Sequence, residues 1–207
     1  MTKKAKIHLH RGDLPAGLNL GQVVAIDTET MGLKPHRDQL CLAQLSAGDG
    51  EAHLVQFDRA TYDAPNLKAL LADDAVLKLF HFARFDVAMM ALYLDVMCQP
   101  VYCTKIASKL VRTYTDRHGL KDLTKELTGI DISKQQQSSD WGAADLSEAQ
   151  LEYAASDVLY LHQIKAVLDD MLAREGRDGL AQAAFDFLPA RAALDLAGWA
   201  DQDIFAH

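Results

Sequence analysis

Val23-Val24-Ala25-Ile26-Asp27-Thr28-Glu29-Thr30 is an apolar run that turns acidic just before the turn Met31-Gly32-Leu33. It reads as the central strand of the fold and the carrier of a site. Side chains on a strand alternate, so Asp27 and Glu29 project from one face and Ile26, Thr28 and Thr30 from the other. Two carboxylates in one small volume raise each other's pKa unless a cation lies between them, and their hard oxygens suit Mg²⁺ or Mn²⁺. A solvated strand end is the alternative for this pair alone, and two further acids along the chain argue against it.

Downstream, strands are expected over 40–45 and 52–57, joined through Ala47-Gly48-Asp49-Gly50, a hairpin signal that makes an antiparallel meander with the first strand. A short helix follows over 66–71, with Pro65 near its first turn, and then a buried strand over 76–81. His81-Phe82-Ala83-Arg84-Phe85-Asp86 leads into an apolar helix over 87–94 and puts Asp86 in its first turn, where an acid also serves as a cap or dipole partner. A further short strand fits 101–104. Upstream, Lys6-Ile7-His8-Leu9-His10 alternates like a surface edge strand. Its two histidines could ligate metal, but no carboxylate or cysteine accompanies them in the sequence.

Ser147-Glu148-Ala149-Gln150 is a capping-box pattern, expected to open one long helix that runs to about Arg174 before Gly176. On that helix the neighbours of Asp157 are Tyr153, Ala154, Tyr160 and Leu161, none of them charged. A carboxylate buried on such a face requires a cation or a strong hydrogen-bond donor, and Tyr153 points its hydroxyl toward the same place. The most basic stretch precedes it. Lys105, Lys109 and Arg112 fall at i, i+4 and i+7 on one helical face, extended by Arg117, His118, Lys121 and Lys125. It reads as a solvated flank, a phosphate-contacting face or a subunit interface. Between the two, 134–142 is a polar loop without periodicity, of the length that functional segments take. An Ala-rich helix from Gly179 onward and an aromatic tail through Trp199 and Phe205 carry no evident chemistry.

With 207 residues, 49 % hydrophobic and 24 % charged, the chain is expected to form one soluble domain with a substantial core. No apolar stretch approaches the roughly 20 residues that span a bilayer, and the first residues lack the apolar core of a secretory signal, so a cytoplasmic location without membrane contact is expected. Cys41, Cys98 and Cys103 match neither a disulfide framework nor a zinc motif and read as reduced core thiols. The net charge of −8 argues against a surface that wraps long nucleic acid, though not against a metal-filled pocket for a short one.

The three stations, Ile26-Asp27-Thr28-Glu29-Thr30, His81 to Asp86 and Tyr153-Ala154-Ala155-Ser156-Asp157, together resemble the three motifs of the DEDD superfamily of 3′-to-5′ exonucleases, in its tyrosine-bearing ribonuclease D branch. The segments 105–110, 112–120 and 134–141 resemble the compact nano-RNase C group within it. The resemblance implies an α/β, ribonuclease H-like fold, with a mixed five-stranded sheet flanked by helices. It implies a single exonuclease domain over 1–207, with a motif-bearing core of about 20–173, a C-terminal helical extension of about 177–207, and no helical HRDC domain.

It further implies ring-like homo-octamers that hydrolyse very short RNA, notably dinucleotides, to nucleoside 5′-monophosphates. Asp27, Glu29, Asp86 and Asp157 would hold two divalent ions, Mg²⁺ or Mn²⁺, about 3.5–4 Å apart, with Tyr153 orienting the attacking water. Substrate contacts would come from Thr28, His81 and Arg84 within the motifs, from Leu33 as a wedge against the bases, and from Lys105, Lys109, Arg112, Arg117 and His118 toward the 5′ end. Leu33 could equally pack the turn. A general exonuclease on longer RNA or single-stranded DNA remains the alternative enzyme, and a catalytically silent nucleic-acid adaptor the alternative of another class.

Overall fold

The computed structural model describes residues 5–133 and 135–207. Lys134, at the head of the polar loop, lies outside these residues. Among the described residues the sheet has six strands: β1 (Lys6–Arg11), β2 (Val23–Thr30), β3 (Leu40–Ser46), β4 (Glu51–Gln56), β5 (Leu77–Phe80) and β6 (Val101–Cys103). Their spatial order is β1-β4-β3-β2-β5-β6. The meander β2-β3-β4 is antiparallel as expected, whereas β1, β5 and β6 join it in parallel. The five-stranded expectation is corrected by one: β1 adds to the free edge of β4.

β2 is central because its residues can be dry on both faces. Val24, Ala25 and Ile26 are fully buried, and all seven residues of β3 beside it are buried. Burial on both faces reads as a continuous apolar run, which leaves Gln44 as the one long polar side chain of β3.

The helices are α1 (Pro65–Ala72), α2 (Ala83–Leu94), α3 (Thr104–Val111), α4 (Leu120–Thr128), α5 (Glu148–Leu159), α6 (Leu161–Glu175), α7 (Asp178–Asp186) and α8 (Leu188–Leu194), followed by a π-helical turn over Asp195–Trp199. The single helix expected over 147–174 is two. Its capping box forms, with Ser147 and Gln150 exchanging hydrogen bonds, but Tyr160 (φ −109°, ψ −2°) leaves helical geometry and separates α5 from α6. The break lets α5 lie on β2, β3 and β4 while α6 packs on α3 and α4. No Gly or Pro marks it; a side-chain contact accompanies it, as His162 Nε2 lies 2.9 Å from the Val23 carbonyl. The His162 ring leaves no room for a side chain on Gly48, whose Cβ would fall 2.7 Å from it in a turn held at φ +78°.

The three cysteines are buried and free. Among the described residues no helix is long and apolar enough to cross a membrane. In the tail, Phe205 packs on Phe187 with ring centroids 6.0 Å apart.

The start of α1 has no local side-chain cap, and Asp13 serves instead from the segment after β1. Its two carboxylate oxygens accept from the Asn66 and Leu67 amides at 2.8 and 2.9 Å. Asp13→Ala should therefore cost about 1 kcal/mol, as loss of a helix cap does, read as a lower denaturant midpoint at unchanged slope.

Candidate active site

The acidic cluster is built from three elements. β2 supplies Asp27 and Glu29 from alternate positions, and the β2–β3 register sets Asp27 opposite Gln44, which donates Nε2 to Asp27 Oδ2 at 2.6 Å. α2 supplies Asp86. The chain enters that helix through Phe82 in the left-handed region (φ 66°, ψ 42°), and Asp86 comes to rest in the first turn, 3 % exposed. There Thr28 Oγ1 donates to Asp86 Oδ1 at 2.6 Å. α5 supplies Asp157, 9 % exposed, with Tyr153 one turn earlier and hydrogen-bonded to it. Trp141 packs against Tyr153 with centroids 6.0 Å apart, the rings inclined at 39°.

Asp27, Glu29 and Asp157 each offer an oxygen within 4.8 Å of the others. Burial first, then repulsion from the neighbouring carboxylates, pushes Asp27 and Glu29 far above the usual carboxylate range. Burial likewise raises Asp86 to about 7, against the lowering pull of the Thr28 hydrogen bond. An all-oxygen donor set of this kind fits a hard divalent cation, which would let all the acids ionise together. The Tyr153 hydroxyl is pushed well above its ordinary value, by burial and then by Asp157, Glu29 and Asp27, so it is a hydrogen-bond donor and not a base at neutral pH.

These groups line one cleft of about 640 Å³ together with Leu33, His81, Phe82, Lys105, Lys121 and Trp141. Leu33 is 81 % exposed at its rim. The turn before it is tight, since the Asp38 carboxylate lies where a Cβ on Gly32 would sit, at 2.3 Å. Arg37 and the Lys34 amide hold that carboxylate, dropping its pKa to about 2. Lys105 Nζ lies over the Phe82 ring, 4.1 Å from its centroid. His81 Nδ1 is 2.9 Å from Thr104 Oγ1.

The other basic candidates lie elsewhere. α3 ends before Arg112, so the expected three-residue face carries only Lys105 and Lys109. Arg112 is fully buried. Its guanidinium binds Glu126 at 2.5 Å, Ser108 Oγ at 2.9 Å and the Arg117 carbonyl at 2.7 Å. Arg84 forms a two-pronged pair with Asp195. Arg84 and Lys109 line a neighbouring groove of about 310 Å³, which shares Phe82 and Lys105 with the cleft. His118 turns toward Ser108 (2.8 Å), and Arg117 is exposed outside the cleft lining. Gln44, the partner of Asp27, was not among the sequence candidates; its signal was a polar residue in an otherwise apolar strand.

A six-stranded mixed sheet with acids converging from β2, α2 and α5 defines a nuclease of the ribonuclease H-like exonuclease class. The family model described as 3′-5′ exonuclease matches residues 13–173, and the chain belongs to that family. It is 37 % identical over 154 residues to ribonuclease D of Granulibacter bethesdensis, covering 74 % of this chain and 38 % of that protein. The chain thus spans about two fifths of the length of the curated relatives it matches. Among solved structures, Brucella melitensis NrnC bound to pGG is 59 % identical with a TM-score of 0.95, covering 98 % of this chain and 99 % of that one. Brucella melitensis NrnC with bound Mg²⁺ is 58 % identical with a TM-score of 0.94, at the same coverages.

The buried acids set a pH dependence. An acid whose pKa is raised on folding stabilises below its unfolded pKa, and that stability is lost as pH rises through the folded value. In a chelator, the stability advantage of the wild type over Asp86→Asn should therefore shrink between pH 4 and above 7. Paired denaturant titrations at several pH values measure it, and an advantage that grows with pH would contradict the assignment of Asp86.

Proposed function

We propose that the protein is a metal-dependent 3′-5′ exoribonuclease that hydrolyses very short RNA, dinucleotides above all, to nucleoside 5′-monophosphates. The observation that carries this reading is the convergence of Asp27, Glu29 and Asp157 within 4.8 Å beside Tyr153, in the lining of one cleft. The pGG complex of the 59 % identical Brucella NrnC supports the substrate length. Asp27, Glu29, Asp86 and Asp157 would hold two divalent ions of the Mg²⁺ or Mn²⁺ class, which when bound would supply a water of lowered pKa and neutralise charge on the phosphate.

In this reading Tyr153 positions the attacking water through its hydroxyl. Water adds to the phosphorus, the bond to O3′ of the preceding ribose breaks, and that oxygen takes up a proton. Gln44 and Thr28 act as positioning residues, each holding one carboxylate in place. Leu33 and Phe82 offer apolar surface to the bases, as side chains do that replace base stacking. Lys105 and Lys121 meet the phosphate charge, which the acidic net balance of the chain would otherwise repel. Homo-oligomeric assembly, an octamer by family resemblance, and a cytoplasmic location belong to the same proposal.

A second reading has one observation in its favour: a largely apolar groove, with Lys109 at its lining and Arg84 held by Asp195, adjoins the cleft through Phe82 and Lys105, a path for a longer strand. Hydrolysis of 5′-labelled RNAs of two to about seven nucleotides separates the two. A rate that peaks at two supports the dinucleotidase, and equal rates at all lengths would replace it by a general exonuclease. Asp157→Asn should lower kcat by more than roughly 10²-fold with circular dichroism unchanged, and Tyr153→Phe should be impaired less. Wild-type turnover by Asp157→Asn would end the assignment.

The wedge role of Leu33 has its own measurement. Leu33→Ala should raise KM on a dinucleotide several-fold and leave kcat near wild type; an unchanged KM would return Leu33 to turn packing.

A further inference from the structure

The edge of the sheet opposite β6 holds a cluster that the nuclease site does not use. In the parallel β1–β4 pair, Lys6 lies beside Glu51 and His8 beside His53. Alternation then brings Lys6, His8 and His10 from β1, and Glu51 and His53 from β4, onto one face. His8 Nε2 is 2.7 Å from Glu51 Oε2, and His10 Nε2 is 3.1 Å from His53 Nδ1. The three imidazoles stack nearly parallel, His8 and His53 at 4.6 Å and His10 and His53 at 5.4 Å between centroids. His8, Glu51 and His53 each present a ligand atom within 4.8 Å of the other two.

We propose that His8, His53 and Glu51 form a second metal site, which binds one divalent transition ion of the zinc class at the β1–β4 edge. Two imidazoles and one carboxylate are a recurrent zinc ligand set, with water as the fourth ligand. Imidazole nitrogen favours zinc, cobalt, nickel or copper over Mg²⁺, so this site is chemically distinct from the all-oxygen cleft, whose lining includes none of its residues. In the His10–His53 contact one nitrogen carries the proton and the other accepts it. Both rings can therefore be neutral, the form that ligates.

The side chains of His8 and Glu51 are 30 % and 36 % exposed, which gives an ion a way in and lets both side chains adjust around it. Lys6 opposes binding, because its ammonium lies 3.2 Å from the same Glu51 oxygen as His8. That lysine is 65 % exposed, and a divalent ion can displace it into solvent. The bound ion would tie the edge strand β1 to β4 through residues 43 positions apart in the chain.

Cobalt(II) distinguishes the two sites by its visible absorption, which is intense with tetrahedral nitrogen ligands and weak in an octahedral oxygen cage. The full chain titrated with Co²⁺ in excess Mg²⁺ should develop an intense band that one equivalent of Zn²⁺ removes. The band should be lost in His8→Ala and in His53→Gln and retained in Asp157→Asn, while Mg²⁺-dependent nuclease activity of His8→Ala stays at the wild-type level. Glu51→Gln conserves size and strand pairing, and should weaken Co²⁺ binding about 10-fold or more. Absence of the band from the wild type, or a band that survives both histidine substitutions or disappears in Asp157→Asn, would overturn the proposal.

Discussion

Repulsion among buried carboxylates is the constraint around which the rest of this protein is arranged. Asp27, Glu29 and Asp157 bring oxygens within 4.8 Å of one another, and Asp86 is almost wholly buried against the same strand. Without compensation such a cluster would protonate or push apart. Part of the compensation is internal: Gln44 donates to Asp27, Thr28 to Asp86 and Tyr153 to Asp157. Each of these three donors satisfies one carboxylate and carries no charge itself. The oxygen-rich cluster fits a hard cation, and such a cation is what phosphodiester chemistry requires.

The scaffold is shaped to hold those acids in register. β2 is buried on both sides, and its two acids emerge only at the end where the sheet opens into the cleft. The left-handed residue Phe82 turns the chain after β5, so that the first turn of α2 brings Asp86 to the Thr28 hydroxyl. Tyr160, at φ −109° and ψ −2°, separates α5, which ends at Leu159, from α6, which packs on α3 and α4.

Charge is distributed by the same logic. The sequence places a basic stretch beside an acidic site, yet its most central arginine is a structural group. Arg112 spends its donors on Glu126, Ser108 and the Arg117 carbonyl, pinning the turn that delivers Leu120 and Lys121 to the cleft. A fully buried guanidinium is tolerated because nearly all of its hydrogen-bonding capacity is met. Lys105 and Lys121 line the cleft itself, Lys121 with Asp131 3.3 Å away.

The sequence by itself determined the strand that carries the site, the antiparallel meander, the capping box at Ser147 and the family to which the three acidic stations belong. These are legible because period-two alternation, turn residues and caps are local, and because Asp-x-Glu and Tyr-x-x-x-Asp fix side-chain direction over a few residues. Only the tertiary structure decided the rest. Gln44 reaches Asp27 through a strand register, Asp13 caps a helix more than fifty residues away, and Arg112 is consumed by Glu126. The break at Tyr160 has no sequence marker, and β1 finds β4 as its parallel partner. His8 and His10 read as bare edge histidines until that pairing sets Glu51 and His53 beside them. In every such case the partner is distant in the chain, and packing, not local propensity, chooses it.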